Sequence, residues 1–479
     1  MISTFPTLPS KTTLNQLPSL PNATVVDELL VEALHQFPHK IIVLDDDPTG
    51  VQTVHGVSVY TDWTSESIEA GFSEDQSMFF ILTNSRGFTR EETRQVHEDI
   101  AATVQAVSDQ RDQPFILISR GDSTLRGHYP LETDVLRHTL EQQSSGHFDG
   151  EILMPFFQEG GRLTINDVHY VLEDDTLVPA GQTEFAKDRT FGYSASHLGE
   201  WAEEKSDGAF PADNVISLSL DDLRQVRLDA LVAQLMNAQD FNKIIINATD
   251  YLDVKVATIA LIRAMNAGKR FLFRTAAAFT KVIGGIDQRP LLTKEELVSD
   301  TTPGGLIMIG SHVQKTTEQL AELKTCDFIH FIEFDVHLVL SPDQFEQEIN
   351  RIITTTEQLI ASGQTVAVYT RRERLDLGEN QQENELKLSV KISDAVTSIV
   401  TRLDVRPSYI IAKGGITSSD IGTTGLKVKR ATVAGQVKPG IPVWKTGAES
   451  KFPGLTYVIF PGNVGSKTTL KEVAELLHA

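Results

Sequence analysis

The chain has 479 residues, 40% hydrophobic and 23% charged, with a formal net charge of -22. That length suits two large domains or three small ones, and the apolar content can fill a core in each. So acidic a surface disfavours nucleic acid and anionic membranes as partners, a single cysteine excludes an intrachain disulfide, and no apolar run approaches the roughly 20 residues that span a bilayer.

Residues 1–24 are rich in Pro, Ser and Thr and read as a loose arm, without the apolar centre of a secretory signal. This favours a cytoplasmic location. VVDELLVEALHQF follows with helical spacing, giving an N-terminal arm and helix over residues 1–38. Short apolar runs of strand length then recur: KIIVL (40–44), FFIL (79–82), FILIS (115–119), EILM (151–154) and KIIIN (243–247). Helical segments separate several of them, and in one Thr89 and Glu92 stand at capping-box spacing. The polar segment 287–303 marks a domain boundary. Beyond it come GLIMIG (305–310), FIHFIEF (328–334), TVAVYT (365–370), SYIIA (408–412) and TYVIF (456–460), with Ser341-Pro342 as a helix start. Cys326 sits in an apolar context and reads as a small core residue. The expectation is two α/β domains in series, residues 39–290 and 304–479, each a mainly parallel sheet flanked by helices, with the active site in the cleft between them.

In open α/β sheets ligands bind at the carboxyl ends of the strands. After the first run stand Asp45, Asp46 and Asp47, three adjacent carboxylates that need a cation, a basic ligand group or a set of donors to compensate them. After FFIL comes Arg86, able to grip a carboxylate with two prongs. After FILIS comes Arg120-Gly121-Asp122-Ser123-Thr124-Leu125-Arg126-Gly127, a run of charges and hydroxyls with glycines that allow close approach. Together these describe a site for a small, anionic, hydroxylated molecule. The stretch from Gly160 to His169, with Thr183, Glu184 and Phe185, extends that pocket, contacts the other domain or forms a structured loop.

The second half carries strand, glycine turn, helix start three times: at Gly310-Ser311, at Lys413-Gly414-Gly415-Ile416-Thr417, and at Pro461-Gly462-Asn463-Val464-Gly465-Ser466. Helix starts offer free N–H groups and a positive dipole end to phosphate. Walker A spacing is missing, as are G-x-G-x-x-G, a G-x-S-x-G elbow and a zinc-type Cys/His set.

Asp-Asp-x-Thr-Gly after the first strand, Asp-Ser-Thr-Leu-Arg-Gly, Lys-Gly-Gly-Ile-Thr and the terminal Pro-Gly-Asn-Val-Gly resemble, in this order, the four-carbon acid sugar kinase family. The resemblance implies an N-terminal acid-sugar-binding domain and a C-terminal nucleotide-binding domain. It also implies transfer of the γ-phosphate of ATP, with Mg²⁺, to an alcohol group of threonate, erythronate or 3-oxo-tetronate. Asp46 or Asp47 would orient or deprotonate that hydroxyl. Arg86 and Arg120 would anchor the acid's carboxylate, with Gly121, Asp122, Ser123 and Arg126 completing its pocket. Ser311, Gly414, Gly415, Ile416, Thr417, Gly462, Asn463 and Gly465 would hold ATP. No metal ligand is assigned, and the assembly expected is a homodimer. Pro48 stands where family members carry Phe, and the following residues also depart from the pattern, so a branched acid such as 3-oxo-isoapionate joins the candidate substrates. The alternatives are a lyase or dehydrogenase acting on the same acid, and a non-catalytic sensor of sugar acid or nucleotide.

Overall fold

The computed structural model describes residues 2–144, 146–298, 303–373, 375 and 382–478, the side chains of 382–387 excepted; part of the expected boundary segment, 299–302, lies outside the described residues. In chain order the strands are β1 (Leu8–Pro9), β2 (Lys40–Asp45), β3 (Ser58–Tyr60), β4 (Met78–Leu82), β5 (Phe115–Arg120), β6 (Gly150–Met154), β7 (Arg162–Ile165), β8 (Val168–Glu173), β9 (Thr176–Pro179), β10 (Val215–Leu218), β11 (Asn242–Ile246) and β12 (Phe271–Thr275). They continue as β13 (Leu306–Ile309), β14 (Ile329–Phe334), β15 (Thr365–Thr370), β16 (Tyr409–Lys413), β17 (Arg430–Lys438), β18 (Ile441–Thr446) and β19 (Thr456–Phe460).

Two compact units result: Met1–Thr53 with Asp62–Gln288, and Val54–Thr61 with Arg289–Ala479. The short segment Val54–Thr61 falls in the second unit rather than the first because β3 pairs antiparallel with β17, Ser58 opposite Thr432.

In the first unit the strands run β10-β11-β6-β12-β5-β2-β4, and each of these pairs is parallel. All residues of β2, β4, β6 and β12 are buried. Covering on both faces explains why these strands read as unbroken apolar runs rather than alternating ones. The helix Arg90–Arg111 starts with Thr89 and Glu92 capping each other as their spacing predicts. A separate antiparallel sheet, β1-β9-β8-β7, occupies the stretch read as pocket extension or loop. Its first strand belongs to the segment expected to be loose. Residues of that segment are tied down: Ser10 N–H donates to Asp175 O at 2.9 Å, Gln182 Nε2 to Phe5 O at 2.6 Å, and Arg224 Nη1 to Pro18 O at 2.6 Å.

In the second unit the order is β3-β17-β18-β19-β16-β13-β15-β14. The run from β19 to β14 is parallel, while β3, β17 and β18 add an antiparallel edge. Its core includes Ile307, Leu320, Ile411, Val458 and Phe460, with Cys326 buried among them. The helix Pro342–Ala361 opens on Pro342 in its first turn, although the Ser341 side chain caps nothing.

Candidate functional site

The parallel register brings the first cluster together. Asp45 lies opposite Arg120 on one side and Leu82 on the other, so the ends of β2, β5 and β4 are adjacent. Arg120 Nη2 pairs with the Asp45 carboxylate, lies 3.3 Å from Asp47 Oδ1 and donates to Asp47 O at 2.9 Å. Arg86 grips Asp46 through Nη2 at 2.6 Å and Nε at 3.1 Å, and reaches Asp47 Oδ2 through Nη1 at 2.5 Å. The compensating cations that three carboxylates demand are therefore the chain's own guanidinium groups.

Both arginines expected at the acid's carboxylate are thus engaged with aspartates, while Arg120 Nε has no partner. Each nitrogen of Arg86 already donates to an aspartate, and Arg120 is buried with Nη1 on Gly121 O and Nη2 on Asp45 and Asp47. Neither presents a free fork to an incoming carboxylate. Gly50 permits this packing, because a Cβ there would overlap both Arg120 and the Asp45 carboxylate.

The three aspartates differ chemically. Burial pushes Asp45 up to about 7 against the pull of Arg120, and Asp45 Oδ2 has no partner. Burial also pushes Asp46 up. For Asp47 the upward push of burial is outweighed by Arg86 and Arg120 and by hydrogen bonds from Thr49, bringing it to about 2. Asp47 is the most open of the three, its side chain 20% exposed against 1% and 3%.

The loop after β5 closes over the same strand ends. Leu125 takes φ 68 and Gly127 φ 130, and Leu125 N–H donates to Asp122 O at 3.0 Å. A left-handed leucine is strained and persists only where its surroundings over-determine it. Here His169 clamps the loop, with Nε2 at 2.8 Å from Ser123 O and Nδ1 at 3.0 Å from Thr164 Oγ1. Burial holds His169 down at about 4, so it stays neutral. Arg126 Nε donates to Asp122 Oδ2 at 2.7 Å. Gly121 and Ser123 take part through their backbones, Gly121 N–H donating to Thr275 O at 2.9 Å.

Sequence reasoning missed the pair beneath this loop, Arg274 on β12 and Glu132, joined at 2.5 Å and nearly fully buried. Glu132 also accepts from Ser85 Oγ at 2.7 Å. A Cβ on Gly121 would overlap the Arg274 guanidinium. The available signal was FLFRT, a short apolar run with an arginine near its end, as FILISR has.

The carboxylates of Asp45, Asp46 and Asp47 come within 4.8 Å of one another, a spacing suited to a divalent ion. With two guanidinium groups already bonded to them, this donor set does not fit a resident Mg²⁺.

In the second unit the three glycine turns meet. A Cβ on Gly310 would overlap the Thr417 side chain, and one on Gly414 would lie 3.0 Å from Ser311 Cβ. Thr316 Oγ1 lies 3.2 Å from Ser311 Oγ and 3.3 Å from Gly462 O, and Lys315 Nζ 3.4 Å from Asn463 O. Gly414 at φ 124 and Gly465 at φ 82 take backbone conformations that favour glycine. Lys413, buried between the turns, donates Nζ to Pro461 O at 2.6 Å and Gly462 O at 3.1 Å. Burial, then the charge of Lys315, lowers it to about 7.

Beside the turns lies a cavity of about 400 Å³ whose wall includes Ser311, Gly414 to Thr417, Val336, Ile392 and Val396. Gly462, Asn463 and Gly465 stand outside that wall, on the loop next to Ser311. The helix after the middle turn, Gly415–Asp420, is six residues long before passing into the wider turns of Ile421–Gly425. The helices after the other two turns, Gln314–Leu323 and Thr469–His478, each have 10 residues.

Residues 41–283 match the sugar-binding N-terminal domain family, and residues 306–470 the nucleotide-binding C-terminal domain family. No curated protein matches the chain. Among solved structures, Haemophilus influenzae protein HI1011 is similar at TM-score 0.60 and 15% identity, over 91% of this chain and 100% of that one. A Salmonella typhimurium LT2 protein is similar at TM-score 0.63 and 15% identity, over 89% of this chain and 97% of that one. At such identities these likenesses speak for the fold, whereas the two domain matches, which span most of the chain, speak for the family. No described helix is long and apolar enough to cross a membrane. The chain belongs to the family that joins a sugar-binding N-terminal domain to a nucleotide-binding C-terminal domain, the architecture of the four-carbon acid sugar kinases.

Proposed function

We propose that the protein is a kinase that transfers the γ-phosphate of ATP to a hydroxyl of a four- or five-carbon sugar acid such as threonate, erythronate, 3-oxo-tetronate or 3-oxo-isoapionate. The observation that carries this is the coexistence of two chemically distinct sites in a chain of this family. One is a charged strand-end cluster with Asp47 open to a polar ligand. The other is a part-apolar cavity bordered by glycine turns.

In this reading the nucleotide arrives as MgATP. Its base lies against Val336, Ile392 and Val396, and its phosphates meet Ser311 and the turns at Gly414 and Gly462. Mg²⁺ comes with the phosphates as part of the substrate. Phosphoryl transfer passes through a loose transition state, so the protein chiefly positions the reactants and neutralises charge. Asp47 suits this work. Held near 2 by the two arginines, it is a weak base, yet it can align the attacking hydroxyl and take its proton late. Asp46, gripped at both oxygens, sets Arg86 and through it Asp47. Gly121, Asp122, Ser123 and Arg126 line the acid's side.

The test is to incubate the protein with MgATP and a panel of these acids, following ADP release and the phosphorylated product by phosphorus NMR. ADP that appears only with one acid supports the proposal. No ADP above the water background with any acid refutes it, and consumption of an acid without ATP points to a lyase.

A further inference from the structure

With Arg86 and Arg120 committed to aspartates, an acid bound in the first unit needs a different counter-ion. Arg274 is committed as well, to Glu132. Arg162, at the start of β7, is not. It has no ion pair or side-chain hydrogen bond among the described residues, and its Nε is buried without a partner. A guanidinium drawn partly out of water and left unpaired is unfavourable unless an anion comes to it.

The surroundings are built to aim it. The backbones of Phe157 and Arg162 exchange hydrogen bonds of 3.0 and 2.9 Å, which fixes the root of the side chain. Gly160 leaves room for its head, since a Cβ there would stand 2.9 Å from Arg162 Nη1 and 2.6 Å from the Phe157 ring. The Phe185 ring holds two guanidinium groups, with the central carbon of Arg126 5.2 Å and that of Arg162 5.5 Å from its centroid. Arg126 is bonded to Asp122 through Nε, but its Nη1 is 3.8 Å from its other carboxylate, Asp188. Two like charges on one ring repel, and an anion shared between them removes that repulsion. Asp122 is held well below the usual carboxylate range: burial pushes it up, but the charges of Arg86 and then Arg126 outweigh that. Through the shared Phe185 ring and Arg126, which is bonded to Asp122, Arg162 stands beside the loop that follows β5.

We propose that Arg162, backed by Arg126 on the Phe185 ring, is the receptor for the carboxylate of the bound acid and sets the preference for acids over neutral polyols. This rests on the reading of the first unit as the acid site. A two-pronged guanidinium–carboxylate pair gives geometry as well as charge. A polyol of the same length would leave Arg162 unpaired, and that penalty is the source of selectivity.

Calorimetric titration of wild type, Arg162→Gln and Arg162→Lys with D-erythronate, L-threonate, erythritol, threitol and ADP tests it. Wild type should bind at least one acid and bind the alditols far more weakly. Arg162→Gln should bind that acid about 10- to 100-fold more weakly, with ADP and alditol binding unchanged. Arg162→Lys, which keeps the charge and loses the fork, should fall between them, and it carries the test should the glutamine variant not fold. The proposal is overturned if either variant binds the acid within twofold of wild type. It is also overturned if acid and alditol weaken together, since Arg162 then only shapes the site, or if wild type binds none of the acids. Acid binding that depends on Arg162 without any ADP release would leave the receptor standing and remove the kinase.

Discussion

Replacing Asp45 with Asn should flatten the dependence of stability on pH, and the size of the effect follows from burial. The Asp45 side chain is 1% exposed, touches Arg120 with one oxygen and leaves the other unpartnered. Three carboxylates share two arginines, so protonating Asp45 balances the cluster. Burial raises Asp45 from 3.8 to about 7. An acid whose pKa is higher folded than unfolded binds its proton more tightly when folded. Its favourable contribution is thus complete below the unfolded value and is lost as pH rises through the folded value. At 1.36 kcal/mol per unit, a gap of about three units makes the loss about 4 kcal/mol between pH 4 and pH 7. The asparagine has no such slope. Urea or guanidinium unfolding of both proteins at intervals from pH 4 to pH 8 isolates the difference, because other titrating groups are common to the two. The wild type should lose about 4 kcal/mol relative to the variant over that range, on the order of 10 °C in Tm for a domain of this size. Curves that run parallel within about 1 kcal/mol would refute the reasoning, and would mean that Arg120 keeps Asp45 ionised throughout.

Asp47→Asn should lower kcat by about 10²- to 10⁴-fold while ADP binding by calorimetry stays within a few-fold; turnover within threefold of wild type would remove Asp47 from the chemistry. Gly121→Ala places a methyl group on the Arg274 guanidinium. Displacing that group from buried Glu132 should cost about 3–5 kcal/mol, and a loss below about 1 kcal/mol in urea unfolding would show that the loop yields instead. Ile392→Asp sets a charge on the cavity wall beside the glycine turns. It should weaken ADP about 100-fold, the order expected for burying an unpaired charge against the base, and leave acid binding unchanged; unaltered ADP affinity would move the base elsewhere.

Much of the fold was legible because parallel strands covered on both faces are written as continuous apolar runs. All ten runs read from sequence are strands, shifted by a residue or so at their ends. β12, FLFRT, was a run of the same kind that went unread, but most of what escaped was written differently. β17 and β18 form a hairpin, paired antiparallel, and β17 alternates between buried and more exposed residues, so no continuous run marks it. β7, β8 and β9 are short antiparallel strands in a polar stretch, with Asn166 and Asp167 at positive φ between the first two. β3 has three residues and reaches its partner far along the chain, which no local pattern records.

The sequence by itself determined which residues could carry chemistry: charges and glycines cluster after apolar strands, where open sheets bind ligands. It also carried the motifs of the family in order. Only the tertiary structure decided how those charges are spent. Strand register set Arg120 against Asp45, and the loop after β4 laid Arg86 across Asp46 and Asp47. In a buried cluster each charge goes to the nearest opposite charge, because unpaired burial is costly. Distance through space therefore tied two arginines that looked like ligand anchors to aspartates, and left the Nε of Arg162, which the linear order had not distinguished, without a partner.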